Sequence, residues 1–162
     1  MDTARELFEH ELRDIYDAEH KLVNALETMA GKVGDEQLSR SFQEHRKVTQ
    51  GQIGRLDEVF GMIDRAPRRE PCDGINGLIS EFSSFVKDEG PAEPVLNVFA
   101  TGAAIKVEHY EICAYKSLIK LADILGLSEA AELLEQSLKE EQETAAELDT
   151  MSEKLGQEVP AG

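Results

Sequence analysis

Five residues of this chain pair chemical competence with an unusual setting: Glu19, His45, Glu108, Glu111 and Glu141. Carboxylates and imidazoles are ordinary on a solvated helix face. These interrupt apolar residues spaced three and four apart, the period of a buried helical stripe. Around Glu19 the stripe reads Phe8, Leu12, Ile15, Glu19, Leu22, Leu26. Around His45 it reads Leu38, Phe42, His45, Thr49, Gln52, Leu56, with three consecutive polar positions. A third runs from Ile105 through Glu108 to Ile112 or Glu111 and then Tyr115. A fourth runs from Leu134 through Ser137, Glu141 and Thr144 to Leu148. Facing carboxylates repel, and each is costly to bury unpaired. A dication in their midst removes that cost, and carboxylates with an imidazole suit iron or manganese, as one ion or two. Thr49, Gln52, Tyr115, Glu140 and Thr144 are placed to orient such ligands, with Tyr115 the expected hydrogen-bond donor to a carboxylate. Glu44 and Glu140 lie one step off the seam, and His10, His20 and His109 fall at the surface or behind the ligands.

The elements that must position these residues follow from the breaks in the helical pattern. Pro67 with Pro71, and Pro91 with Pro94, exclude helix interiors, and Gly31–Asp35 and Leu125–Ser128 are further breaks. Four long helices result, over about 3–30, 35–61, 93–124 and 128–156, with a shorter one over about 73–88 between the second and third. Asp35 and Ser128 are the expected N-caps. The third long helix shows Val98, Ile105, Ile112 and Ile119, one every two turns. Gly51 and Gly54 lie inside the second, where they would permit a close helix crossing at roughly 1 kcal/mol each. Two short connections make two antiparallel hairpins, and the long middle connection joins them. This predicts an all-α, ferritin-like four-helix bundle with one short crossover helix, a single domain over 1–162 and a disordered tail from about 157. Ile75, Leu78, Ile79, Phe82, Phe85 and Val86 give the crossover helix an apolar face that should cover the bundle or a second subunit.

Composition narrows the function. The 162 residues carry 17 lysines and arginines against 33 aspartates and glutamates, a net charge of −16. That balance disfavours a nucleic-acid backbone or an anionic membrane as partner, and no apolar run is long enough to span a bilayer. The charged, helical N-terminus predicts no signal peptide. Cys72 and Cys113 are expected as free thiols. No phosphate-binding glycine loop, Gly-x-Ser-x-Gly, Cys-x-x-Cys or His-Glu-x-x-His occurs, so no organic cofactor is expected.

A faint internal repeat aligns Ala18-Glu19-His20 with Val107-Glu108-His109, and Ser41–His45 with Ser137–Glu141. It sets Glu19 against Glu108 and His45 against Glu141, as a pseudo-twofold site requires. With Leu12–Glu19, His45–Thr49, Gln52, Arg55-Leu56, Glu108–Ile112, Tyr115 and Leu138–Glu141 in this order, the chain resembles the YciE/YciF-type bacterial stress proteins of the ferritin-like superfamily. The resemblance spans about residues 5–155. It implies a cytoplasmic homodimer of five-helix subunits associated with general or osmotic stress, and it supplies no reaction. Against the wider di-iron pattern, two Glu-x-x-His pairs are absent: Lys47 follows Glu44 and Thr144 follows Glu141 at the histidine positions. Two readings stand. One is an iron or manganese site, without an organic cofactor, open to oxygen or peroxide chemistry. The other is a non-enzymatic, dimeric structural or interaction protein whose metal site is vestigial.

Overall fold

The computed structural model describes residues 1–162 as five helices: α1 (Ala4–Ala30), α2 (Glu36–Met62), α3 (Asp73–Glu89), α4 (Glu93–Ile124) and α5 (Ser128–Gly156). Local chemistry sets the ends. Thr3 and Glu6 form a capping box on α1, and the Asp35 carboxylate accepts from Leu38 N at 2.7 Å on α2. Ser128 does not cap α5: it is the first helical residue, and the cap position is Leu127, without a side-chain bond. After α2 the chain reverses through Asp64, the one non-glycine residue at positive φ (55°). Arg65 N donates to Phe60 O at 3.0 Å there, closing a Schellman-type turn.

The two hairpins, α1–α2 and α4–α5, pack face to face through α1 against α4 and α2 against α5. Because α3 returns the chain along the bundle, α2 and α4 run parallel, the ferritin-like arrangement. Ile75 and Phe82 of α3 are buried against the bundle, while Leu78, Ile79, Phe85 and Val86 are half-buried. Phe85 stacks on Phe99 of α4 at 3.6 Å between ring centroids.

Two further sequence expectations fail. Val98, Ile105, Ile112 and Ile119 are only half-buried. The face of α4 turned into the bundle carries Asn97, Thr101, Ala104, Glu108, Glu111, Tyr115 and Leu118 instead. With α1, α3 and α5 all touching α4, apolar residues line most of its circumference, and the periodicity no longer singles out one side. Gly51 and Gly54 are exposed, and a Cβ at either would meet nothing within 4 Å. They permit no close crossing.

Candidate metal centre

Polar residues divide the interior. A cluster of 20 buried apolar residues, including Phe8, Leu12, Phe60 and Leu118, fills one end; a cluster of 13, including Leu26, Phe42, Leu96 and Leu148, fills the other. Each long helix passes from one cluster to the other, and near the changeover each contributes a polar residue. Glu19 comes from α1, His45, Thr49 and Gln52 from α2, Glu108 and Glu111 from α4, and Ser137 and Glu141 from α5, all buried. The seam interruptions therefore meet at one depth, as the sequence pattern requires.

His45, Glu108, Glu111 and Glu141 each present one ligand atom, and the four atoms lie within 4.8 Å of one another. His45 Nδ1 stands 3.3 Å from Glu108 Oε1, and its Nε2 stands 3.8 Å from Glu141 Oε2. Neither nitrogen makes a hydrogen bond. Glu19 stands beside this quartet and accepts a short hydrogen bond from Tyr115 Oη, as expected of that tyrosine. Gln52 Nε2 donates to Glu141 and, at 3.1 Å, to Glu140.

Three expected supporting residues behave differently. Thr49 Oγ1 is buried but bonds its own helix at His45 O, 3.1 Å away. Thr144 is half-buried and bonds Glu140 O at 3.0 Å, while Ala145 takes the inward position. Glu140 points beside the cluster and pairs with Arg55. Glu44 and His109 are exposed, and His10 and His20 are half-exposed; His20 meets the edge of the Tyr16 ring.

Arg55 also reaches the site, although the apolar pattern does not mark it. Its Nε donates to Ser137 Oγ at 3.0 Å, and its Nη2 pairs with Glu140. One helical turn beyond Gln52, it brings a positive charge to the edge of the carboxylates. Asp17 is the other unanticipated buried acid. It accepts from Cys72 N (2.9 Å) and Arg69 Nε (2.8 Å), and pairs with Lys21 (2.5 Å), tying the start of α3 to α1. Both cysteines are free; Cys72 is buried and Cys113 exposed.

Protonation follows from this crowding. Burial, then repulsion from Glu141, pushes Glu19 up to about 8 despite the Tyr115 bond. Burial and the neighbouring carboxylates, Glu141 foremost, hold Glu108 and Glu111 well above the ordinary carboxylate range. Burial pushes Glu141 up as well, but His45, Glu108 and Gln52 outweigh it and leave that group below its ordinary value. Without metal, the crowding thus favours the protonated forms of Glu19, Glu108 and Glu111 and leaves Glu141 the most readily ionised.

The donor set fits a cation on the evidence of its orphaned atoms. Both oxygens of Glu108, one oxygen each of Glu19, Glu111 and Glu141, and both nitrogens of His45 are buried without a hydrogen-bond partner. Native interiors rarely tolerate so many. Donors on opposite sides of an ion with bonds of about 2.1 Å stand roughly 4.2 Å apart, so the quartet needs only a small contraction to close on one. Oxygen ligands with one imidazole suit iron or manganese.

Comparison with known proteins agrees with this architecture. Residues 3–159 match the family described as "Domain of unknown function (DUF892)". The chain is 38% identical over 149 residues to Protein YciF of Escherichia coli (strain K12), covering 91% of this chain and 89% of that protein. The crystal structure of the E. coli stress protein YciF superposes with a TM-score of 0.93 at 35% identity, covering 98% of this chain and 100% of that one. YcfI of Rhodopseudomonas palustris, described as a candidate structural protein, gives 0.89 at 36% identity, covering 92% and 94%. With its length, its five helices and its sequence matched nearly end to end, the chain belongs to the YciF-like DUF892 family.

Proposed function

We propose that this protein is a cytoplasmic stress-response protein that binds one or two iron or manganese ions through His45, Glu108, Glu111 and Glu141, with Glu19 as the fifth ligand. The observation that carries this reading is the convergence of unpartnered carboxylate oxygens and both His45 nitrogens in the buried layer between the two apolar clusters. The association with stress rests on the likeness to E. coli YciF. Bound iron or manganese would supply one-electron chemistry towards oxygen or peroxide. The chain's own contribution is positional: Tyr115 Oη fixes Glu19, Gln52 Nε2 fixes Glu141, and the Arg55–Glu140 pair holds the Gln52 amide in place. The apolar clusters on either side keep bulk water out. The half-buried apolar face of α3 supports a homodimer built on that helix, which sedimentation at micromolar concentration tests.

Because burial and mutual repulsion favour the protonated forms of Glu108 and Glu111 without metal, binding should release protons. Protein purified without chelator should contain metal. Titrating stripped protein with Fe²⁺ or Mn²⁺ in weakly buffered solution should acidify it, and an excess of about a hundred times the Kd should stabilise the fold by roughly 2.7 kcal/mol. An unmoved melting midpoint at millimolar metal would reject the reading. One observation favours the alternative, a vestigial site in a structural protein: at the histidine positions of the di-iron Glu-x-x-His pairs this chain has Lys47 and Thr144, and Thr144 bonds its own helix. The description of the Rhodopseudomonas relative points the same way.

A further inference from the structure

The α2–α3 connection holds a concentration of arginine at odds with the rest of the chain. Arg65, Arg68 and Arg69 fall within five residues of a protein with net charge −16. Arg69 is used by Asp17. The other two, with Arg13 of α1, line a cavity of about 230 Å³ completed by Glu9, Phe60 and Ala66.

The local charge does not cancel. Arg65 Nε donates to Glu9 Oε2 at 3.0 Å, and Arg65 and then Arg5 hold the Glu9 carboxyl below its ordinary value, so it remains anionic. Three arginines against that single carboxylate leave the lining with two positive charges. Outside the lining, Arg5 bonds Glu9 and Ile63 O, and the Glu70 carboxylate comes only within 4.0 Å of Arg13 Nε. That Nε is buried and has no hydrogen-bond partner. Arg68 is exposed and takes part in none of the ion pairs of this connection. The Asp64 turn returns Arg65 towards α1 and so closes the wall.

We propose that this cavity binds a phosphate group, as free phosphate or as the monoester of a small molecule. Guanidinium groups present paired N–H donors matched to phosphate oxygens. A phosphate dianion would neutralise the lining. The cavity is larger than one phosphate needs, which leaves room for the alcohol part of an ester.

The test is isothermal titration of chelator-treated protein with orthophosphate and, separately, a sugar monophosphate, at constant ionic strength set with chloride. Chelation removes metal–phosphate heats from the core site. Saturable binding at or below roughly millimolar Kd is expected, and the tighter of the two arms identifies the source. Arg68→Ala, at an exposed position without an ion pair, should fold normally and weaken binding about tenfold or more. Arg13→Gln should weaken it further, with melting curves reporting its fold. Absence of saturable heat with both probes, or equal affinity in Arg68→Ala, overturns the proposal.

Discussion

Replacing Glu19 by glutamine should change how stability responds to pH in the metal-free protein. The variant keeps the shape of the side chain and an oxygen for Tyr115 Oη, and removes only the ionisable group. Burial and Glu141 raise the folded-state pKa from the ordinary 4.5 to about 8. A carboxyl raised in the folded state contributes stability fully below its unfolded pKa and loses it as pH rises towards the folded value. Through that window the unfolded chain gives up its proton and the folded chain does not, at about 1.4 kcal/mol per pH unit. From about pH 5 to about pH 7, wild type should lose roughly 2–3 kcal/mol that the variant does not. Glu108 and Glu111 are raised too, so both proteins should weaken, with wild type the steeper. The assay is urea denaturation of stripped protein at several pH values, taking the difference between the two proteins so that titrations elsewhere cancel. With saturating Mn²⁺ the order should reverse, because the variant lacks a ligand. A wild-type-minus-variant difference that does not vary with pH would refute the argument that Glu19 is held protonated by its surroundings.

Other substitutions test the scaffold. Asp17→Ala should cost about 3 kcal/mol in denaturant titration, since it leaves Cys72 N without an acceptor and unpairs Lys21, while Asp17→Asn should cost less. Burial pushes the Asp17 carboxyl up, but Lys21, the Cys72 amide and Arg69 outweigh it and hold it below its ordinary value. Its contribution is therefore present above the unfolded pKa and lost as pH falls through the folded one, so wild type and Asp17→Ala should converge in acid. Asp64→Gly should raise the melting midpoint, by up to about 1 kcal/mol in stability, because glycine tolerates the left-handed turn that aspartate occupies at φ 55°. Gly74→Ala should lower it by roughly 1–3 kcal/mol, because the new Cβ would stand 2.5 Å from the Tyr110 ring.

The bundle and most of its site were legible because polar residues at stripe positions are conspicuous. Four separate helices each turned polar once, and only a shared interior layer satisfies all four. The α4 isoleucines misled because a helix covered on several sides has no single apolar face. Thr49 and Thr144 bond their own helices, because a hydroxyl on a helix can bond the carbonyl four residues back, which spacing does not reveal. Asp17 and Arg55 escaped for a different reason. Their partners, Cys72, Arg69, Ser137 and Glu140, are tens of residues away, and on a chain this acidic neither stands out from its charged neighbours.

The polar layer between the apolar clusters also bears on how the molecule opens. Cooperativity spreads through contiguous apolar contact, and here that contact is interrupted at mid-height on all four long helices. The end built on Leu26, Phe42, Leu96 and Leu148 has 13 buried residues, against 20 at the end where Asp17 fastens the α2–α3 connection. Amide protons in the former should exchange through a lower-energy opening than those in the latter, as two protection classes within single continuous helices. An ion held by α2, α4 and α5 at the boundary would join the halves, so that metal loading merges the two classes into one.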